Sequence, residues 1–233
     1  MRGLLLLSFL LLPFAAGPAP AGPWPRPVGE TYVFSGHEGG TEGWTSLYLE
    51  TGLPRDLTLG LDAGGHVTAL ATGDPDQEVD GRIRAFLRFP VLSAPDRRAA
   101  RPAWAEPWLA AIEIGIGPDI EKDGDTPLRY GAALTLGRPL DTRFGPGWTV
   151  LDLRATLGGS RPARVNLGYV AGVKPTDRMV LELGLFAEHE AETSWAIAPT
   201  MEYKIGAFGG ARLGVSVKDG GETLLRLGWA RTF

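Results

Sequence analysis

Apolar and polar residues alternate position by position along most of this chain. Leu57, Leu59, Leu61 and Ala63 are interleaved with Thr58, Gly60, Asp62 and Gly64. Ile83, Ala85, Leu87, Phe89 and Val91 are interleaved with Arg82, Arg84, Phe86, Arg88 and Pro90. Trp108, Ala110, Ile112, Ile114 and Ile116 alternate in the same way with Leu109, Ala111, Glu113, Gly115 and Gly117. The period of two continues through Tyr130–Leu136, Leu151–Leu157, Val165–Val173, Met179–Ala187, Trp195–Tyr203, Leu213–Val217 and Leu225–Phe233. Successive side chains point to opposite faces only in an extended strand. Each run therefore predicts a β-strand with one apolar face and one face of Gly, Thr, Asn, Arg, Asp or Glu, with turn chemistry between the runs.

Two architectures produce such a pattern: a soluble β-sandwich, whose apolar faces meet in a core, and a transmembrane β-barrel, whose apolar face meets lipid. The polar faces carry many glycines and charges of both signs but almost no Lys, which favours the barrel. Trp44, Trp104, Trp108, Trp148, Trp195, Tyr203 and Trp229 lie near the ends of predicted strands. That position predicts aromatic girdles at two membrane interfaces. Composition fits, since hydrophobic residues are 44% and charged residues 21%, with 33 Gly. Beyond the first residues no apolar run approaches the ~20 residues of a spanning helix. The net charge of -4 and a pI near 5.5 give no basic footprint for nucleic acid.

The amino end has a different texture. Arg2, an apolar run from Leu4 to Phe14 and the small residues Ala19, Pro20 and Ala21 predict an export leader over residues 1–21, cleaved after Ala21. Residues 22–233 are then the barrel. No cysteine is present, so neither lipidation at a terminal Cys nor a disulfide framework is available. Strand parity gives a count. If both ends of the barrel domain lie on one side of the membrane, the strand number is even. The runs above, a strand from Trp44 to Thr51 and a first strand at Thr31–Ser35 make about twelve antiparallel strands, or about ten if the first strand and Leu213–Val217 do not form.

The terminal run Leu225–Phe233, alternating up to a final aromatic, resembles the sorting signal of bacterial outer-membrane β-barrels, with Trp229 and Phe233 as the insertion signal. The stretch Trp44, Tyr48, Glu50, Gly52, Leu53, Asp56, Thr58, Gly60 also resembles a hairpin of small Gram-negative outer-membrane barrels, the phenol meta-pathway outer-membrane transporters among them. The resemblance implies a bacterial outer-membrane location, contact with outer-membrane lipid and lipopolysaccharide, and insertion by the barrel assembly machinery. It also implies passage or binding of small hydrophobic or aromatic molecules.

With the apolar face outward, the lumen receives Arg82, Arg84, Arg88, Arg154, Arg164, Arg178, Lys204, Arg212 and Arg226. Against them stand Glu50, Asp62, Glu113, Asp152, Glu182, Glu188 and Glu202. These charges either pair to fill and stiffen the barrel or line a weakly selective pore, where Arg82, Arg84 and Arg88 on one strand face attract anionic solutes. Lumen glycines such as Gly60 and Gly184 relieve crowding in a sharply curved wall or leave room for solute.

Other chemistry is sparse. Ser35 and His37 share a strand face, which would suit a rim-sited lipid hydrolase. His37, His66 and His189 all fall in predicted outer loops, and His189 lies beside Glu188, Glu190 and Glu192 without diagnostic metal spacing. Acidic loops at 74–78 and 119–125 could meet lipopolysaccharide phosphates through divalent ions. The expectation is an all-β, single antiparallel barrel with no cofactor, no resident metal and no nucleic-acid partner. It would act as a small-solute channel or transporter, or alternatively as a scaffold with a filled lumen.

Overall fold

The computed structural model describes residues 22–40, 43–66, 80–92, 108–121, 124–159 and 161–233. The expected leader (residues 1–21), Trp104 and the acidic stretch 74–78 lie outside the described residues. Twelve strands follow in order: β1 (Thr31–Glu38), β2 (Trp44–Gly52), β3 (Thr58–His66), β4 (Gly81–Pro90), β5 (Leu109–Ile120) and β6 (Leu128–Thr142). They continue with β7 (Gly145–Leu157), β8 (Arg164–Thr176), β9 (Met179–His189), β10 (Thr193–Lys204), β11 (Gly210–Lys218) and β12 (Thr223–Thr232). Each pairs antiparallel with its sequence neighbours, and β1 pairs with β12, so the sheet is a closed barrel. At the seam, Thr31 and Phe233 exchange both backbone hydrogen bonds, at 3.1 and 2.8 Å. Strand β1 begins and β12 stops at the same end, the terminal end. The opposite end, where β1, β5, β7, β9 and β11 finish, is the loop end.

The alternation predicted from sequence sets the two faces. Large aliphatics point away from the barrel and stay exposed, Ile114 at 53% and Leu183 at 45% among them. Their strand neighbours Glu113 and Gly184 point inward and are buried. A belt of exposed Leu, Ile and Val around a charged interior inverts the arrangement of a soluble domain and is stable only where the exterior solvent is hydrocarbon. Exposed aromatics mark both rims. Tyr203, Phe208, Trp229 and Phe233 lie at the terminal end, and Tyr130 and Trp195 at the loop end.

Several expectations change. Trp44 and Trp148 are not girdle residues: they share strand parity with Glu50 and with Asp152, so they face the lumen, where Trp148 is buried. His37 lies inside β1, and His66 and His189 each close a strand, rather than standing in loops. The stretch 138–146, between the predicted strands Tyr130–Leu136 and Leu151–Leu157, is the end of the β6–β7 hairpin. Pro139 pairs with Trp148, leaving a two-residue turn at Arg143 and Phe144. Ladder bonds near a hairpin end can be lost singly without ending the pairing, so proline is tolerated there. Arg178 is exposed in the two-residue β8–β9 turn, not in the lumen.

Gly60 and Gly184 leave no open space: a Cβ on Gly60 would lie 2.1 Å from the Phe86 ring, and one on Gly184 would lie 2.4 Å from the Phe186 ring. Substitutions at these glycines are therefore not benign. Leu183→Arg should lower unfolding free energy from a bilayer by ~2 to 4 kcal/mol if that position sits near mid-depth. Ser194→Lys, on the inward face, should stay within ~0.5 kcal/mol. Urea titration in lipid vesicles reads the difference, and equal damage would reverse the assignment of faces.

Candidate functional site

From mid-barrel into the terminal half, the inward face of β2 to β7 is a continuous charge network. Glu50, 2% exposed, accepts from Arg26 Nε at 2.6 Å and Arg88 Nη1 at 2.5 Å. It also accepts from the Tyr48 hydroxyl, to which Arg88 Nη2 donates at 2.9 Å. Glu113 gathers three guanidinium groups: Arg88 at 3.0 Å, Arg154 at 3.1 Å and Arg84 at 3.4 Å. Asp62 lies 3.3 Å from Arg84 and 3.6 Å from Arg82. Register explains the convergence. Arg88 pairs with Glu113, Glu113 with Ala133 and Ala133 with Arg154, so one small residue separates Glu113 from Arg154. The Phe86 ring fills the side-chain space of Gly60 and stacks on Tyr48 at 5.7 Å.

The remaining candidates fall elsewhere. Asp152 accepts a 2.6 Å hydrogen bond from Thr135 and lies 3.9 Å from Arg154. Arg212 pairs with Glu182, and Arg226 lies 3.2 Å from Glu38. Arg164 joins a loop-end cluster centred on Arg129, a residue the sequence reading missed by starting the strand at Tyr130. Arg129 is 2% exposed and reaches Glu190 at 2.9 Å, Asp119 at 3.4 Å and the Pro162 carbonyl at 2.7 Å. Arg164 contacts Glu190 at 3.1 Å and Asp119 at 3.5 Å. Burial pushes the Glu190 carboxyl up, but the Arg129 hydrogen bond and the Arg164 charge outweigh it and hold the carboxyl below its usual range.

A second omission is larger. Residues 22–30 do not trail from the barrel but fold into it as a strap across the terminal half of the lumen. Val28 bridges to Gly52, and Gly29 N donates to the Gly52 carbonyl at 2.9 Å. Arg26 reaches Glu50, and Trp24 packs on Trp148, Val150 and Val180 at the far wall. Pro23 is fully buried, and it occupies the side-chain space of Gly137. Arg88 Nη1 closes the strap by donating to the Gly22 carbonyl at 3.2 Å. Gly52 is required here, since a Cβ would lie 2.0 Å from the Pro27 carbonyl oxygen. The signal was Gly22-Pro23-Trp24-Pro25-Arg26-Pro27. Alternating prolines cannot enter a ladder but can run extended through a groove.

The hydrolase arrangement does not form. Ser35 pairs with Leu47 and Trp229 and is exposed on the outer face. His37 Nδ1 instead hydrogen-bonds with Thr45 Oγ1 at 3.0 Å, and Nε2 with the Gly40 carbonyl at 2.8 Å. His189 Nδ1 pairs with Thr193 Oγ1 at 2.9 Å, while Glu190 is held by the two arginines. Among the described residues no three His, Asp and Glu side chains gather as a metal site.

A closed, twelve-stranded antiparallel barrel with an aliphatic exterior and a charged interior defines the class: a membrane-embedded β-barrel. No protein-family model matches the chain, and no curated protein sequence matches it. Solved structures do match. The fold is similar to that of KdgM porin, both alone and in complex with disordered oligogalacturonate. In each comparison the TM-score is 0.61 at 11% identity, over 87% of this chain and 99% of the porin chain.

Glu50→Gln should destabilise the barrel by roughly 3–5 kcal/mol, because it leaves Arg26 and Arg88 short of a buried counter-charge. Equilibrium unfolding checks this. A depressed Glu190 carboxyl contributes stability that is present above its unfolded value of about 4.3. That contribution is lost as pH falls through the lower folded value. Proteolysis of the β9–β10 loop should therefore be constant from neutral pH to about pH 5 and rise in stronger acid. Glu190→Gln should cleave faster than the parent at neutral pH.

Proposed function

We propose that this protein is a bacterial outer-membrane channel for small solutes, with its terminal end in the periplasm and its lumen narrowed there by the residue 22–30 strap. The carrying observation is the unequal filling of the lumen. The terminal half holds the strap and the Glu50–Arg88–Glu113 network, whereas the loop half keeps a cavity of about 300 Å³, and a second of about 170 Å³ extends from Glu38 and Trp44 down to Arg212. The fold shared with KdgM porin supports a channel. The oligogalacturonate bound to that porin does not carry over directly, because the arginines of this lumen are largely matched by Glu50, Asp62 and Glu113. Charge selectivity is accordingly weak, with Arg82 and Arg84 favouring anions. The finer kinship, with phenol meta-pathway transporters, rests on the hairpin from Trp44 to Gly60 and extends the solute range to small aromatic molecules. Trp229 and Phe233 serve as the insertion signal read by the barrel assembly machinery, and the loop end meets lipopolysaccharide.

The strap also favours a second reading, a scaffold with a plugged lumen, and conductance separates the two. Leader-free protein refolded into a planar bilayer should give discrete single-channel currents. Arg84→Glu should move the reversal potential toward cation preference, and Trp24→Gly combined with Arg26→Gln should raise unit conductance by loosening the strap. Silence from a folded barrel and from the strap variant would replace the channel with the scaffold.

A further inference from the structure

Four aromatic rings of this lumen share one arrangement. Each fills the space left by a glycine of the wall, as designed barrels do to rescue glycines, and each carries a basic side chain on its surface. Phe86, over Gly60, has Arg88 at 5.3 Å and Arg84 at 6.0 Å. Phe34, against Gly36 and Gly228, has Arg212 at 5.4 Å. Trp44, over Gly64, has Arg82 at 5.5 Å, and Trp148, over Gly172, has Lys174 at 5.4 Å.

Phe186 departs from that arrangement. Its ring is seated over Gly184, with Gly168 beside it, yet among the described residues no Arg or Lys lies over it, and it remains 41% exposed. It lines the larger cavity, about 300 Å³. Register puts Asp152, Gly168 and Phe186 in one row, so the missing side chain of Gly168 leaves a floor between a carboxylate and a ring. Glu188 and Asp219 also line the cavity, and its one lysine, Lys218, is drawn toward Glu222 at 3.6 Å and Glu38 at 3.9 Å. The neighbouring arginines make their shorter contacts outside the cavity, Arg154 with Glu113 at 3.1 Å and Arg164 with Glu190 at 3.1 Å and Asp119 at 3.5 Å, and reach the cavity carboxylates Asp152 and Glu188 only at 3.9 Å.

We infer that the cavity between Asp152 and Phe186 binds a small organic cation, such as an alkylammonium or guanidinium group, in the position that a protein arginine or lysine takes on those four rings. The ring face attracts the cation through its quadrupole, the Asp152 carboxylate supplies the counter-charge, and Val150, Val170 and Ala196 cover alkyl substituents. The site adds to the channel reading a cation-binding position in the loop half, away from Arg82 and Arg84, which weak charge selectivity permits, and it rests on solute reaching that half. An inorganic cation would gain less from it, because a strongly hydrated ion gives up more water on meeting the ring.

The test uses the full barrel refolded in detergent, with choline as probe and its uncharged isostere 3,3-dimethylbutan-1-ol as control, titrated by saturation-transfer NMR. Choline should bind in the millimolar range and at least about tenfold more tightly than the isostere, the factor expected of a partly desolvated cation–π contact. Phe186→Leu and Asp152→Asn should each weaken choline about tenfold, and Phe186→Tyr should retain it. Equal binding of the two probes, absence of choline binding, or undiminished binding by Phe186→Leu would each overturn the site. If Phe186→Leu does not fold, Asp152→Asn decides. The readout requires no conduction. A barrel that binds choline but passes no current keeps the site and loses the channel, and one that conducts without binding loses only the site.

Discussion

Each strand of this barrel shares its hydrogen bonds with two neighbours, and the circle is completed at the seam where Thr31 and Phe233 meet. Hydrocarbon offers no partner for an unpaired peptide group, so a sheet in a membrane is stable only when no edge remains. Closure then fixes which residues can be polar. Once the ring is shut, one side of every strand must satisfy lipid, and the charges have a single remaining place to go. The lumen chemistry of this protein, from Glu50 to Phe186, is therefore a consequence of backbone pairing.

Inside the ring the charges are arranged for mutual compensation. Glu113 meets three guanidinium groups and Glu50 meets two, so neither carboxylate is left alone in a confined space. Such contacts offset the cost of burial without greatly exceeding it. Their larger effect is to fix the positions of the arginine forks, and through them the strap. The loop end has its own centre in Arg129, which joins Asp119, Glu190 and the Pro162 carbonyl, and so links the end of β5 with the β7–β8 and β9–β10 loops.

The fold was legible because a period of two survives in almost every strand, and a barrel needs nothing subtler. The placement of side chains along the strand was legible as well, and it was misread only where residue type was given more weight than parity. Trp44 shares the face of Tyr48 and Glu50, and Trp148 that of Asp152, so their lumen position was written in the alternation. Arg129 was hidden by an early strand start, since a loop assignment removes parity altogether. The partnerships across the lumen were not legible, because they depend on which strand lies opposite which. Glu50 and Arg88 are 38 residues apart. The strap had no periodic signature at all, since prolines at every second position prevent ladder pairing.

Those prolines also change the thermodynamics of the strap. Pro23, Pro25 and Pro27 restrict the backbone to an extended form before it touches the barrel wall, so little conformational freedom is lost when it docks. A glycine- or serine-rich tail would have to be ordered residue by residue at the expense of chain entropy. This segment behaves instead as a short rod hinged near Gly29, which has a positive φ of 83°. Its occupancy of the lumen is then set by a few end-on contacts, those of Trp24 and Arg26 above all, and its displacement would resemble the withdrawal of a bolt more than the unravelling of a thread.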